Sequence, residues 1–187
     1  MERQNAMLPQ WLLLINLALS FVMVGEIWMT QVSCYPLWGY VGPAEYHAYH
    51  IAWWHSIWGV VFVPGGLTTL CALAMLRLRP PGVPPWMVWL GIALQVMIYV
   101  LTAAWWGRLM AELESVSGPV YGPMYHRLLV THWGRVALVT AYGMLQLWMG
   151  ILCYSGREND EKSFRDQKRI RGGFRSPKPL PAGDDPA

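Results

Sequence analysis

The chain has 187 residues, 55% of them hydrophobic and only 13% charged, where a soluble domain carries about 25% charged residues. Of its 14 Lys and Arg, eight follow residue 156, so the first 156 residues hold only six, too few to solvate a globular surface. The net charge of +3 belongs to the C-terminal end and is not a nucleic-acid signal, so these numbers exclude an ordinary soluble domain and point to a membrane protein.

Four stretches meet the about 20 mostly apolar residues that a helix needs to cross hydrocarbon. The first runs from Trp11 to about Gln31 and contains one acid, Glu26. It is longer than a signal-peptide core, and no A-x-A site follows it. The run Gln-Val-Ser-Cys34 carries Gln31 where a lipoprotein cleavage box needs an aliphatic residue, so this segment is expected to remain as an anchor. The second stretch, Ile51 to Leu76, holds no Lys, Arg, Asp or Glu. Pro64-Gly65-Gly66 in its middle predicts a kink, with the freed carbonyl satisfied by neighbours and a close helix approach. The run Arg77-Leu-Arg-Pro-Pro-Gly-Val-Pro-Pro85 predicts a short, stiff turn, because proline cannot continue a helix. The third stretch, Trp86 to Gly107, is uncharged, and the fourth, about Leu128 to Tyr154, contains Arg135. Continuous runs of this length predict helices, since barrel strands alternate over about 10 residues.

The expected fold class is therefore all-α, a four-helix membrane bundle over residues 1–156 (spans about 11–31, 51–76, 86–107 and 128–154). A flexible basic tail follows over 157–187. Nothing in that tail can bury a core, so disorder is its expectation. Arg3, Arg77, Arg79 and the tail cations fall on one side, with only Arg108 and Arg127 on the other. The positive-inside rule then places both termini in the cytoplasm of a cell whose inner membrane the chain spans. The basic tail would favour anionic lipid or a cytoplasmic partner surface. Cys34, Cys71 and Cys153 fall in separate segments and are expected as thiols rather than a disulfide framework.

The two ends of the bundle differ. Trp11, Trp86, Trp89 and Trp148 mark the cytoplasmic interface, while Trp28, Trp38, Trp53, Trp54, Trp58, Trp105, Trp106 and Trp133 crowd the other. That excess suggests a pocket or a contact surface. All five histidines, His47, His50, His55, His126 and His132, fall at the same end. His55 and His132 each lie about one turn into their spans, at matching heights. Arg135 lies one turn below His132, and Glu26 is at a comparable depth, so Glu26 and Arg135 are the obvious ion pair. Such a pair serves a ligand or simply locks two helices. Imidazole at this end suits bound metal, haem or a pigment, although no HExxH, EXXH repeat or CxxCH is present. A transport site would need polar groups near the midplane, where Gln95 is the main one.

The run Gln31-Val-x-x-Tyr-Pro-Leu-x-x-x-Val-Gly-Pro-Ala-Glu-Tyr-x-x-Tyr-His50, with a Pro in the second span, resembles a widespread group of small bacterial four-helix membrane proteins. Thr131-His-Trp-Gly-Arg135 is similar to the entry of that group's last helix. The broader set includes the anthrone-oxygenase-like membrane proteins, which implies metal-free oxidation of an apolar aromatic substrate. The resemblance covers roughly residues 11–150. The chain departs from the pattern in placing His132 directly before the Trp and in its Trp-rich second helix.

Two functional expectations result. The first is a non-catalytic membrane subunit or interaction protein. Glu26, His47, His50, Trp54, Trp58, His126 and Trp133 would there contact a lipid, another subunit, a second copy or a hydrophobic quinone- or pigment-like ligand. The second is a membrane oxygenase or oxidoreductase with His55 or His132 as general base and Arg135 stabilising an oxyanion.

Overall fold

The computed structural model describes residues 2–114 and 122–173, and everything described is helix or short turn. Four long rods form the bundle. Helix α1 runs Glu2–Met29 and continues through a π turn, Thr30–Cys34, to Tyr35–Trp38. Helix α2 runs Tyr46–Ile57, through a π turn at Trp58–Phe62, and on through Val63–Met75. Helix α3 runs Pro85–Leu101, through a π turn at Thr102–Trp106, and ends at Gly107–Glu114. Helix α4 is Pro123–Gly173, 51 residues without a break.

Each rod contains a stretch long and apolar enough to cross a membrane: Met7–Trp38, Tyr46–Met75, Pro85–Glu114 and Pro123–Gly156. These exceed the expected spans, chiefly at the histidine-bearing end. Much of the expected first loop is helix, since α1 continues to Trp38 and α2 begins at Tyr46. Residues 157–173, expected to be disordered, continue α4. Their sequence explains this: no Pro occurs before Pro177, and Glu158 and Glu161 stand four residues ahead of Lys162 and Arg165, a helix-favouring spacing. Residues 174–187 of the expected tail lie outside the described residues.

Around the bundle, α1 packs on α4 and on the lower half of α2, while α3 packs on α4 and α2. Three buried clusters stack along the axis. At the proline-turn end are Leu13, Met75, Met87 and Met149 with their neighbours. In the middle are Ile27, Ile98, Val136 and Val139. At the histidine end are Tyr35, Trp38, Tyr46, Trp106, Leu113 and Leu128. The turn after α2 is tight, as its prolines demand. Gly82 adopts φ +76°, and a Cβ there would lie 2.8 Å from the Leu152 carbonyl oxygen. Only glycine meets both conditions without strain.

The π turns have local causes. In α1 and α2 the π segment ends two residues before a proline, Pro36 and Pro64. Each proline thus sits in the first turn of the α-helix that restarts, where its missing N–H is no loss. The Gly65 carbonyl beside Pro64 accepts from Thr68 Oγ1 (2.8 Å), Thr69 Oγ1 (2.9 Å) and the Tyr99 hydroxyl of α3 (2.8 Å). In α3 no proline is involved. Thr102 Oγ1 donates back to the Ile98 carbonyl (2.6 Å), and such back-bonding loosens a helix ladder. A Cβ on Gly107, which closes this π turn, would lie 2.9 Å from the Thr102 carbonyl oxygen.

Candidate functional site

Three π turns from three helices fall at the histidine end, and residues from all three line one cleft. Single π turns inside α-helices often mark functional positions. The walls are rings: Tyr35 of α1, Trp53, Trp54 and Phe62 of α2, and Trp106 of α3. Glu26, Thr30, Thr102 and Arg135 supply the polar lining. A second cavity lies beside it and shares Glu26, Ile27, Val61, Phe62, Thr102 and Arg135. The first has about 510 Å³ of free space out to its open mouth, but only about 40 Å³ in which a water-sized body can move. It is a slot between rings rather than a chamber.

The tryptophans divide as a pocket requires. Trp11, Trp86, Trp89 and Trp148 at the proline-turn end are all exposed, as a lipid-interface belt should be. At the histidine end Trp38 and Trp106 are buried and Trp53 and Trp54 half-buried, while Trp28, Trp58, Trp105 and Trp133 face outward.

Arg135 and Glu26 reach the same cleft, close enough to interact electrostatically. The expected direct pair is not formed: no ion pair within 4.0 Å joins them. Arg135 instead lies over the Trp106 ring, 5.9 Å from its centre, and its Nε is buried with no hydrogen-bond partner. Both charges line the cleft, and the Arg135 guanidinium is turned over Trp106 rather than against Glu26.

His132 is fully buried. Its Nδ1 lies 2.7 Å from Gln31 Oε1, and Gln31 Nε2 donates to the Leu129 carbonyl at 3.0 Å. That second bond decides the tautomer. A carbonyl can only accept, so the amide nitrogen of Gln31 must face Leu129 and its oxygen must face His132. Nδ1 therefore carries the hydrogen, and in the neutral ring Nε2 carries the lone pair. Nε2 is buried with no partner. The ring stands edge-on to Tyr35 (4.7 Å) and Trp106 (6.1 Å), both walls of the cleft.

The other histidines do not join it. His55 is exposed on the outer surface of α2 and does not face His132, although the two were expected to meet at one height. The reason is angular. Tyr46, His50, Trp53 and Ile57 form the inward stripe of α2, and His55 falls about 200° from Trp53 around the helix. His47 is exposed with its ring nitrogen 3.0 Å from the Glu114 carbonyl, and His126 is exposed. His50 is buried beside Trp38 (5.2 Å) and Tyr46 (5.6 Å), and neither ring nitrogen has a partner. Among the described residues, no group of three or more His, Cys, Asp and Glu is arranged to hold a metal ion. Of the other expected contacts, Trp54 lines the cleft, and Trp58 lies outside the lining but packs on Phe62, which belongs to it (4.5 Å). Trp133 faces out against Trp28 (5.6 Å).

Sequence reasoning did not assign site roles to Gln31, Tyr35, Trp53 or Trp106. Trp53 could have been found from the inward stripe of α2, and Gln31 as an amide inside an apolar span. It also missed a polar node deeper in the bundle. Asn16 Nδ2 donates to the Tyr142 hydroxyl (3.1 Å) and to Gln146 Oε1 (2.9 Å), all three buried, with Gln95 beside Tyr142. Comparison with protein-family models, curated proteins and solved structures finds no match to this chain, so the geometry alone carries the reading of the site.

Proposed function

We propose that the chain is a multi-pass protein of the inner membrane, with both termini cytoplasmic, that holds a flat aromatic or quinone-like ligand in the cleft at the opposite end. In this reading it serves as a non-catalytic, ligand-holding subunit of a membrane assembly. The observation that carries it is the cleft itself, a ring-walled slot at the π turns of three helices with Arg135 Nε unpartnered in its lining. Nearly all buried polar groups in folded proteins have a partner. A ligand oxygen would supply one here while its ring stacks on the tryptophans. Phe62 of the lining and Trp58, which packs on it, are exposed, which suits entry from lipid.

The test is purification in mild detergent, followed by mass spectrometry of copurifying small molecules and proteins and an absorption spectrum. The reading requires an aromatic small molecule that is retained by the wild-type protein and lost from Arg135→Met at equal folded yield. A monomer that carries neither ligand nor partner sinks it.

A second reading is favoured by the His132 tautomer. An imidazole lone pair near an Arg-lined cleft is the pairing that proton abstraction from a phenol or an activated C–H needs. This is the oxygenase-like activity that the resemblance of residues 11–150 implies. Oxygen uptake on adding an anthrone to the purified protein tests it, and uptake no faster than in protein-free detergent refutes it.

A further inference from the structure

Around the Trp106 ring lie three buried polar atoms without partners: Arg135 Nε, Trp106 Nε1 and His132 Nε2. The guanidinium carbon of Arg135 is 5.9 Å from the ring centre and the His132 ring is 6.1 Å from it. Two of the three residues line the cleft, and the third stands edge-on to two of its walls. His132 and Arg135 share one face of α4 at i, i+3 spacing.

The three atoms are not equivalent. Arg Nε–H and Trp Nε1–H can only donate. His132 Nε2, by the tautomer that Gln31 imposes, can only accept. One oxygen that satisfies all three must have two lone pairs to receive and one hydrogen to give. A hydroxyl meets that requirement. A ketone or an ether would leave Nε2 orphaned. A carboxylate would also set negative charge against its lone pair.

We infer that Arg135 Nε, Trp106 Nε1 and His132 Nε2 form the seat for a single hydroxyl oxygen, so the ligand of the cleft is a phenol or quinol. This rests on the ligand-holding reading above and narrows it from aromatic compounds in general to those with a donor oxygen. The rings of Tyr35, Trp53, Trp54 and Phe62 favour a phenol over an aliphatic alcohol, because they offer faces for stacking. A water molecule has the same hydrogen-bonding pattern, so the test must separate the two.

The full chain in lipid nanodiscs is titrated calorimetrically with 4-ethylphenol, 4-ethylanisole and ethylbenzene, with empty nanodiscs as reference. Losing one buried hydrogen bond changes binding by about tenfold. The phenol should bind about tenfold tighter than its methyl ether, which accepts but cannot donate. Trp106→Phe, which keeps a ring and removes the N–H, should weaken the phenol by about tenfold more than it weakens ethylbenzene. His132→Phe should erase the preference for phenol over anisole. Circular dichroism and a single elution peak establish that the variants are folded. Equal affinity for phenol and anisole overturns the inference. So does a phenol that binds no better than ethylbenzene, which would mean that water keeps the seat. If none of the three probes binds, the ligand-holding reading fails and this inference falls with it.

Discussion

The bond between Gln31 and His132 ties α1 to α4 at the level of the cleft, and its worth is measurable. In Gln31→Leu, His132 Nδ1–H loses its acceptor inside a fully buried site. An orphaned buried donor costs about 1–3 kcal/mol. Interhelical hydrogen bonds measured within membranes average nearer 0.6 kcal/mol and reach about 1.7. The bond here is short, at 2.7 Å, and its acceptor is held by a second bond to the Leu129 carbonyl. The upper part of the membrane range applies, so Gln31→Leu should cost about 1.5 kcal/mol. His132→Phe should cost less, about 1 kcal/mol, because it leaves Gln31 Oε1 unpaired but also removes the orphaned Nε2. When both partners become apolar no orphan remains, and the double variant should be no worse than Gln31→Leu alone. The coupling energy is then about 1 kcal/mol, well outside the roughly 0.3–0.5 kcal/mol scatter of independent sites. Reversible unfolding in mixed detergent–SDS micelles, followed by tryptophan fluorescence, supplies the four free energies. Strict additivity would refute the bond, and with it the tautomer assigned to His132.

Three more outcomes follow from other parts of the bundle. Asn16→Leu removes the donor to Tyr142 and Gln146 and should lower unfolding free energy by about 1–2 kcal/mol in the same assay; no change would mean that the node is not formed. Gly82→Ala forces a side chain into the left-handed region and toward the Leu152 carbonyl, and should cost at least about 2 kcal/mol. A tolerant Gly82 would show that the turn does not pack on α4 as described. Tyr40 is 84% exposed between α1 and α2. In a chain whose native cysteines are replaced by serine, Tyr40→Cys should react with a membrane-impermeant maleimide in intact spheroplasts, whereas a cysteine at Arg79 should react only after lysis. The reverse pattern would overturn the proposed orientation.

The spans were legible because length and hydropathy alone decide them, and the proline turn because proline leaves so few options. Their ends were not. The segments after Gln31 and after Gly107 read as loops, since Tyr35-Pro36 and Arg108 break an apolar run. The π turns absorb those breaks. A helix that widens by one residue per turn can restart with Pro36 in its first turn and run on to Trp38. Hydropathy does not report hydrogen-bond register, so this extension has no composition signal. The offset that Pro36 and Pro64 share relative to their π turns shows where a signal lies: a proline inside an otherwise unbroken span.

The site was half legible for a related reason. Depth along a helix can be counted from the sequence, and counting correctly brought Glu26 and Arg135 to one level. Direction around the helix needs a second measurement, the stripe of residues that face inward. For α4 that stripe runs His132, Val136, Val139 and Tyr142, all buried, and it carries His132 into the bundle. For α2 it runs Tyr46, His50, Trp53 and Ile57, which excludes His55 and brings in a tryptophan wall that histidine counting had passed over. Matching heights therefore paired the wrong residues, while matching faces pairs His132 with Gln31 and Trp106. The same reasoning explains why Glu26 and Arg135 share a cleft without touching. They reach one level from α1 and α4, but Arg135 lies over the Trp106 ring rather than against Glu26, and the cleft they share is walled by rings. Two charges locked together would only join α1 to α4. Two charges kept apart, one of them on an arginine with an unused donor, are what the proposed ligand would complete.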